Sequence, residues 1–328
     1  MKLKVIVYNK IDQDVKDFLE SKCEVHYFES KNPNSLRDNP FFLQELKDTE
    51  GLIGSGLRID RELLEKAPHL KIVSNISVGY DNFDVPALTE LKIIATNTPY
   101  VLNETTADAI FGLLMATARR IPELDQFVKN GEWTEKLSEH YFGVDVHHKV
   151  LGIIGMGSIG SEIAKRAYCG FDMKILYHNR TRNEEAEFKY KAEYCSLDDL
   201  LRHSDFVCIM APLTFETKNS FGEKELSHMK KTAILVVGSR GGIVNEEALT
   251  DALDKRTILA AGLDVFEKEP IGPKHRLLKH KNVVTLPHIG SATFETRHRM
   301  NRLAAENLLK GLYGEVPPNI LNREVLNH

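Results

Sequence analysis

The stretch Val150–Arg182 constrains the fold of this chain more than any other. Its first apolar run, Val150–Ile154, has the length and the β-branched content of a buried parallel strand. The run leads into the turn GMGSIG, after which apolar residues recur at helical spacing. A second apolar run, Met173–Tyr177, comes after Gly170, a plausible helix C-cap. A strand, a glycine turn, a helix and a strand in this order predict a dinucleotide-binding βαβ unit.

Each glycine of this turn has its own physical role in such a unit. Gly155 allows the tight turn, Gly157 lets the backbone approach a pyrophosphate, and Gly160 lets the helix pack closely on the strand. The helix N-terminus, at Ser158 and Ile159, offers free N–H groups and a partial positive charge to the phosphates. The alternative interpretation is an incidental tight turn.

The residues after the second strand of the unit bear on the choice of cofactor. An NAD site usually has Asp or Glu here, which accepts hydrogen bonds from the adenosine ribose hydroxyls. This chain has HNRTR at positions 178–182 and no carboxylate before Glu184. Two guanidinium groups beside a hydroxyl suit the 2′-phosphate of NADP(H), although a solvated basic turn is the simpler alternative. We therefore predict NADP(H), with NAD possible, and contacts from Asn179, Arg180, Thr181 and Arg182.

Chain length, charge and cysteine spacing limit the other classes of function. At 328 residues two domains are more usual than one. The net charge of −4 gives no reason to expect nucleic acid or an anionic membrane as a partner. The four cysteines include no CxxC pair, so they predict reduced thiols rather than disulfides or a zinc site. No stretch predicts a signal peptide or a membrane span, and we expect a cytoplasmic protein without a bound metal.

Alternating strands and helices predict the architecture. In the first hundred residues apolar strands alternate with amphipathic helices, around a polar loop at Ser30–Pro40, which implies a parallel sheet. A mostly apolar helix, Glu104–Arg119, then leads into a six-stranded doubly wound domain. A second long helix, Thr293–Leu312, returns the chain to the first domain before a loose tail around Pro317 and Pro318.

We therefore predict an α/β protein with two doubly wound parallel-sheet domains and a cleft between them. The dinucleotide-binding Rossmann domain would span residues 102–289. The substrate-binding domain, which is flavodoxin-like, would combine residues 1–101 and 290–328.

Several segments that directly follow predicted strands carry residues suited to chemistry. Gly79 follows the strand Leu70–Ile76, where its backbone N–H could hold a carboxylate, or where it could be a turn glycine with positive φ. Arg240 and His288 follow later strands. Singly, Arg240 is more often part of a structural ion pair, and His288 more often a core histidine. With the carboxylates of 262–270 they supply a cation for the substrate, an acid/base and a partner for that base.

At these segments the chain resembles the D-isomer-specific 2-hydroxyacid dehydrogenases over essentially its whole length. The resemblance rests on VGYD from Val78, GMGSIG from Gly155, APLT from Ala211 with Thr217, SRGGIVNEEAL from Ser239, GLDVFEKEP from Gly262 and LPHIGSAT from Leu286. Within that family the chain is most similar to the glyoxylate/hydroxypyruvate and 2-ketogluconate reductases, through NISVGYDNFD from Asn75 and YHNR from Tyr177.

The resemblance implies NADPH-preferring reduction of glyoxylate, hydroxypyruvate or 2-keto-D-gluconate to D-2-hydroxy acids. It assigns His288 as the acid/base and Glu269 as its partner. It assigns Arg240 to the substrate carboxylate and carbonyl oxygen, and the amides of Val78 and Gly79 to the carboxylate. The further cofactor contacts that it implies are the glycine-turn residues with Pro212, Thr217, Gly238, Ser239, Asp264 and Gly290. Gly238 is a departure, because the family often has Asn two residues before the arginine.

Two alternatives stay open at this point. One is an NAD-dependent dehydrogenase of the D-glycerate or D-3-phosphoglycerate type, and the other is a dinucleotide-sensing binding protein without enzymatic activity. Because the family is typically dimeric through its nucleotide-binding domains, we also expect a homodimer, which the apolar character of Glu104–Arg119 permits.

Overall fold

The computed structural model describes residues 2–327. In this part of the chain the strands are β1 (Leu3–Val7), β2 (Cys23–Tyr27), β3 (Gly51–Gly54), β4 (Ile72–Asn75), β5 (Ile94–Thr96), β6 (Val150–Ile154), β7 (Lys174–His178), β8 (Glu193–Tyr194), β9 (Phe206–Ile209), β10 (Ile234–Val237), β11 (Ala260–Leu263) and β12 (Val283–Thr285).

The α-helices alternate with these strands. They are α1 (Gln13–Glu20), α2 (Pro40–Leu46), α3 (Arg61–Leu64), α4 (Val85–Glu90), α5 (Asn103–Ala118), α6 (Ile121–Lys129), α7 (Ser158–Phe171), α8 (Glu184–Tyr190), α9 (Leu197–His203), α10 (Glu223–His228), α11 (Glu246–Asp254) and α12 (Phe294–Leu312). Short 3-10 helices lie at Pro33–Asp38, Glu139–Tyr141, Arg276–Lys279 and Arg323–Asn327. No helix among the described residues is both long and apolar enough to cross a membrane.

One compact unit consists of Met1–Leu102 and Thr293–His328. Its sheet has the strand order β2-β1-β3-β4-β5, and neighbouring strands are parallel. The predicted loose tail is wrong, because Leu321 N–H donates to the Ala95 carbonyl and Ala95 N–H donates to Asn322 Oδ1. The tail therefore pairs with β5, an edge strand whose backbone groups would otherwise lack partners.

The polar segment of this unit that was predicted to be a loop is partly helical. A 3-10 helix spans Pro33–Asp38, and α2 starts at Pro40 with the Asn39 side chain accepting from the Phe41 and Phe42 N–H groups. Proline is favoured at the first helical position because its φ is already helical, and because the N–H that it lacks would have no partner within the helix there. The helix thus begins at Pro40, the last residue of the predicted loop.

The second compact unit is Asn103–Ala292. Its described sheet has seven parallel strands rather than six, in the order β12-β11-β10-β9-β6-β7-β8. The extra strand, β8, has two residues, both exposed, and therefore shows no apolar run from which a strand could be predicted. Gly170 is not the C-cap of α7: the helix continues to Phe171 and ends at Asp172, which is left-handed. Because β7 and β9 flank β6, the order reverses at β6, and ligands bind beyond strand ends at such a point.

The chain passes between the units after Leu102 and after Ala292. The predicted boundaries, 101/102 and 289/290, precede these points by one residue and three residues. The first and last residues of the predicted substrate domain, Met1 and His328, lie outside the described residues. Which unit binds substrate and which binds dinucleotide stays a prediction at this stage.

Candidate active site

The glycine turn lies between β6 and α7, where the strand order reverses. Gly155 has a φ of +99°, which favours glycine, and a Cβ there would collide with the backbone of the loop after β9. A Cβ on Gly160 would collide with the Gly155 carbonyl oxygen, whereas one on Gly157 would meet nothing within 4 Å. Helix α7 starts here with Ser158 and Ile159, so its free N–H groups adjoin the open backbone. The resulting cradle fits the pyrophosphate of a dinucleotide.

Two asparagines after β7 bind the peptide groups of this turn. Asn179 Oδ1 accepts from the Met156 N–H at 2.7 Å, and its Nδ2 donates to the Met156 carbonyl at 3.2 Å. Asn183 Nδ2 donates to the same carbonyl at 2.9 Å. An aspartate at 179 would lose the donor and place a negative charge beside that carbonyl. Asn179 thus holds the turn in shape, where an NAD site usually has a carboxylate.

The two arginines of the predicted phosphate-binding segment differ in their contacts. The Nε and Nη2 of Arg182 donate to the two carboxylate oxygens of Glu187 at 2.9 and 2.7 Å. The same guanidinium lies 5.7 Å from the ring centroid of Tyr194. Arg180 is exposed and makes no hydrogen bond or ion pair with any residue in 2–327, and Thr181 is exposed beside it. Of the two guanidinium groups, Arg180 is therefore the one available to a phosphate.

Glu269 and His288 form a close pair at the carboxyl ends of β11 and β12. Glu269 Oε2 lies 2.7 Å from His288 Nδ1, and Oε1 accepts from the Phe266 N–H at 3.0 Å. Burial favours the neutral carboxyl, but the hydrogen bonds from His288 and Phe266, with the charges of His288 and Arg240, hold the pKa of Glu269 below its usual value. Because an ionised carboxylate only accepts, Nδ1 carries the proton and Nε2 faces away from Glu269.

The backbone and exposure of His288 exclude the interpretation as a core histidine. Its φ is 56°, a left-handed conformation that non-glycine residues seldom adopt, and its side chain is 42% exposed. Such sparsely populated conformations cluster at functional sites. The exposed ring can therefore meet a small molecule from solvent.

Arg240 lies in the loop after β10 and is half-buried. Its Nη1 donates to the Ser239 carbonyl at 2.9 Å, and its charge contributes to the lowered pKa of Glu269. Gly241 permits this proximity, because a Cβ there would collide with the backbone of the loop that carries Glu269. At Gly238, where the family often has Asn, a Cβ would collide with the Ile110 side chain. The departure at Gly238 thus follows from how closely α5 packs on β10.

Asp264 supports the segment that carries His288. The carboxylate is buried, and its two oxygens accept from the N–H groups of Ile289 and Gly290 at 2.7 and 2.9 Å. Burial raises the pKa of Asp264, although these two hydrogen bonds oppose the shift. Because both oxygens are engaged, the geometry makes Asp264 a positioning residue for the His288 loop.

Thr217 and Pro212 lie in the loop after β9, beside the glycine turn. Thr217 Oγ1 donates to the Pro212 carbonyl at 2.7 Å and accepts from the Thr214 N–H at 2.7 Å. The hydroxyl thus closes the turn. Ser239, by contrast, has a buried Oγ with no hydrogen-bond partner among the described residues. An unpaired buried hydroxyl in the loop after β10 has the character of a ligand contact and further supports a cofactor at this sheet edge.

Glu246 and His275 support the Glu269 loop and were not predicted from the sequence. Glu246 Oε1 accepts from the Glu267 N–H at 2.6 Å, and Oε2 lies 3.1 Å from His275 Nε2. Asn183, which binds the glycine turn, was also missed. The available signal was position: Glu246 opens a helix directly after the SRGG segment, and Asn183 is the N-cap of α8.

The predicted substrate contacts Val78 and Gly79 lie in the other compact unit, directly after β4. Gly79 is not among the glycines with positive φ, so the alternative interpretation as a left-handed turn glycine is wrong. Its carbonyl accepts from Asn75 Nδ2 at 2.7 Å, and that of Val78 accepts from Asn97 Nδ2 at 2.8 Å. Both carbonyls are therefore engaged by side chains of their own unit.

Within the unit Asn103–Ala292 the predicted residues converge at one sheet edge. The glycine turn, the HNRTR segment and the loops after β9, β10, β11 and β12 all follow parallel strands of a single sheet. The carboxyl ends of parallel strands share an edge. A dinucleotide cradle, a cation and a carboxylate–histidine pair therefore lie together on that edge.

Comparison with known proteins agrees with this arrangement. Residues 111–290 match the family model described as D-isomer specific 2-hydroxyacid dehydrogenase, NAD binding domain. The chain is 48% identical over 325 residues to glyoxylate/hydroxypyruvate reductase B of Escherichia coli, with 99% of each chain covered.

Solved structures of similar proteins share the whole fold. One is an NADPH-dependent glyoxylate/hydroxypyruvate reductase from Sinorhizobium meliloti, solved with NADP and malonate, with a TM-score of 0.87 and 31% identity over 99% of this chain and 98% of that chain. Another is a glyoxylate reductase from Paecilomyes thermophila, with a TM-score of 0.87 and 32% identity over 98% of this chain and 99% of that one.

Proposed function

This chain belongs to the D-isomer-specific 2-hydroxyacid dehydrogenase family, and from that premise we propose that it reduces small 2-keto acids to D-2-hydroxy acids with NADPH. Glyoxylate and hydroxypyruvate are the first candidate substrates, because the names of its relatives point to them. 2-Keto-D-gluconate is a third. The observation that carries the proposal is the 2.7 Å contact between Glu269 Oε2 and His288 Nδ1. The loop that carries Glu269 packs closely against the loop that carries Arg240.

The residues of this chain supply every part of the reaction except the hydride. When bound, the reduced nicotinamide supplies a hydride for the carbonyl carbon of the substrate. Protonated His288 donates from Nε2 to the carbonyl oxygen, and Glu269 keeps the ring oriented and compensates its positive charge. Arg240 binds the substrate carboxylate and polarises the carbonyl. The neutral His288 that remains regains its proton from solvent.

The cofactor is proposed to bind along the sheet edge of the unit Asn103–Ala292. The glycine turn would hold the pyrophosphate, and Arg180 the 2′-phosphate that distinguishes NADPH from NADH. The unit formed by Met1–Leu102 and Thr293–His328 is assigned to substrate binding, with the Val78 and Gly79 amides contacting the carboxylate. The cofactor part of this assignment is supported by the family match, in which residues 111–290 correspond to an NAD binding domain.

A homodimer in the cytoplasm completes the proposal. Helix α6 has no buried residue, and its Val128 is 53% exposed. Exposed apolar side chains continue beyond the helix, where Trp133 is 62% and Phe142 60% exposed. An exposed apolar surface of this kind favours association. The apolar residues of α5, in contrast, are largely buried within their own unit. All four cysteines are free thiols, which suits a reducing compartment.

The decisive assay follows NADPH absorbance with the purified full chain. We would measure kcat/KM in parallel for glyoxylate, hydroxypyruvate and 2-keto-D-gluconate, each with NADPH and with NADH. A higher kcat/KM with NADPH than with NADH for any of these keto acids would support the proposal. Tight NADPH binding with no turnover of any keto acid would instead favour a dinucleotide-sensing protein. Light scattering at the mass of two 37.2 kDa chains would support the dimer, and a single-chain mass would contradict it.

A further inference from the structure

In the segment Ser77–Tyr80 three consecutive carbonyls accept hydrogen bonds from other residues. The Ser77 carbonyl accepts from the Thr98 N–H at 3.0 Å, the Val78 carbonyl from Asn97 Nδ2 at 2.8 Å, and the Gly79 carbonyl from Asn75 Nδ2 at 2.7 Å. All three donors belong to the same compact unit. Three consecutive carbonyls are thus bound by the interior of that unit.

The peptide bond fixes where the opposite groups point. In a trans peptide the N–H of one residue is antiparallel to the carbonyl of the residue before it. The N–H groups of Val78, Gly79 and Tyr80 therefore point away from the three donors. Within residues 2–327 none of these three N–H groups donates a hydrogen bond. Residues 77–79 are half-buried and Tyr80 is exposed, so the segment that carries the three N–H groups borders solvent.

The two asparagines that set this direction are firmly held. Asn75 is fully buried and Asn97 is 7% exposed. The backbone of Asn97 is itself bound on both sides, because its carbonyl accepts from Asn307 Nδ2 at 3.0 Å and its N–H donates to the Asn319 carbonyl at 3.3 Å. Rotation of either buried side chain would break the hydrogen bond from its Nδ2 to the 77–80 segment, so each amide is held in its orientation by that bond.

We propose that Asn97 and Asn75 are positioning residues that turn the 77–80 peptides outward, and that Tyr80 N–H is a third donor beside Val78 and Gly79 in a carboxylate-binding nest. Successive outward N–H groups form concave anion sites without any cationic side chain. This inference rests on the proposed function for the identity of the ligand, a substrate carboxylate. It adds the third donor and the two residues that set the geometry.

Asn97→Asp and Asn75→Asp test the inference, because each keeps the side-chain shape and removes the donor. Asn322→Asp is the matched control, because Asn322 is also buried in the same unit and its Nδ2 likewise donates to a backbone carbonyl, that of Ile93, at 2.9 Å. Its Oδ1 in addition accepts from the Ala95 N–H at 2.9 Å. We expect comparable losses of thermal stability in all three variants. Only the 97 and 75 variants should raise KM for glyoxylate, by about tenfold or more, the loss of one hydrogen bond to a charged group. Their kcat should change less, and their Kd for NADPH should not change.

A KM in Asn97→Asp equal to that of the Asn322→Asp control would overturn the inference. If the aspartate variant does not fold, Asn97→Ser removes the amide without adding charge and is scored in the same way.

Amide NMR of the full chain separates this inference from the proposed function. With ¹⁵N-labelled glycine or tyrosine, oxalate should shift the Gly79 and Tyr80 amide signals in the wild type and in Asn322→Asp but not in Asn97→Asp. Such shifts without any keto-acid reduction would contradict the reductase and keep the nest. Reduction with no shift at Tyr80 would contradict the third donor and keep the reductase.

Discussion

Arg180→Ala is the sharpest test of the cofactor assignment. The guanidinium is exposed and makes no hydrogen bond or ion pair within 2–327, so its removal should leave the fold unchanged. A hydrogen bond involving a charged group is worth about 1.5–3 kcal/mol, and each 1.4 kcal/mol is about tenfold in affinity. Because solvent screens an exposed pair, we expect the lower end of that range. The kcat/KM for NADPH should fall about tenfold, and that for NADH should hardly change.

Arg182→Ala is the matched control for this experiment. It removes the same charge two residues further on, but Arg182 is already bound through two hydrogen bonds by Glu187. Its loss should therefore cost NADPH less than the loss of Arg180 does. The assay is initial-rate kinetics at fixed saturating glyoxylate with each cofactor. Equal losses for NADPH and NADH in Arg180→Ala would refute the assignment, because they would place the arginine on a part shared by both cofactors.

The remaining predictions concern the reacting groups. His288→Ala should still bind NADPH but lose about 10²–10⁴ in turnover, and near-normal turnover would remove it from the acid/base role. Glu269→Gln should move the alkaline limb of the pH–rate profile for keto-acid reduction to lower pH, because protonated His288 loses the negative charge that compensates it. An unchanged limb would contradict the functional pairing of Glu269 with His288. Because the pKa of Glu269 is lowered in the folded state, its stabilising contribution is fully present above pH 4.5, its ordinary pKa, and is lost as the pH falls through the lowered pKa. The deficit in unfolding midpoint of Glu269→Gln should therefore shrink in acid. Arg240→Lys should raise KM for the keto acid and lower kcat, since a lysine lacks the planar fork; a change confined to cofactor affinity would place Arg240 on the dinucleotide.

Much of the fold follows from patterns that are local in the sequence. The apolar run Val150–Ile154, the glycine turn and the helix after it lie where the pattern predicted them, because strand burial and glycine conformations are local constraints. The edge strand β8 could not be predicted, since its two residues are exposed and carry no apolar pattern. The end of α7 at Asp172 rather than Gly170 depends on which residue adopts the left-handed conformation.

The supporting contacts of the site were beyond the sequence pattern for a different reason. Asn179 was predicted as a cofactor contact, but residue type gave no sign that its amide binds both polar groups of the Met156 peptide. Asn97 is separated by nineteen residues from the Val78 carbonyl that it binds. Contacts between a side chain and a distant backbone group depend on tertiary packing, so residue type alone does not reveal the partner.

Chiral analysis of the glycerate formed from hydroxypyruvate and NADPH tests the central claim most directly. We predict that the purified chain produces D-glycerate with one NADPH consumed per molecule, and that His288→Ala produces almost none in the same time. L-Glycerate, a racemic product, or NADPH that binds without any glycerate being formed would contradict it.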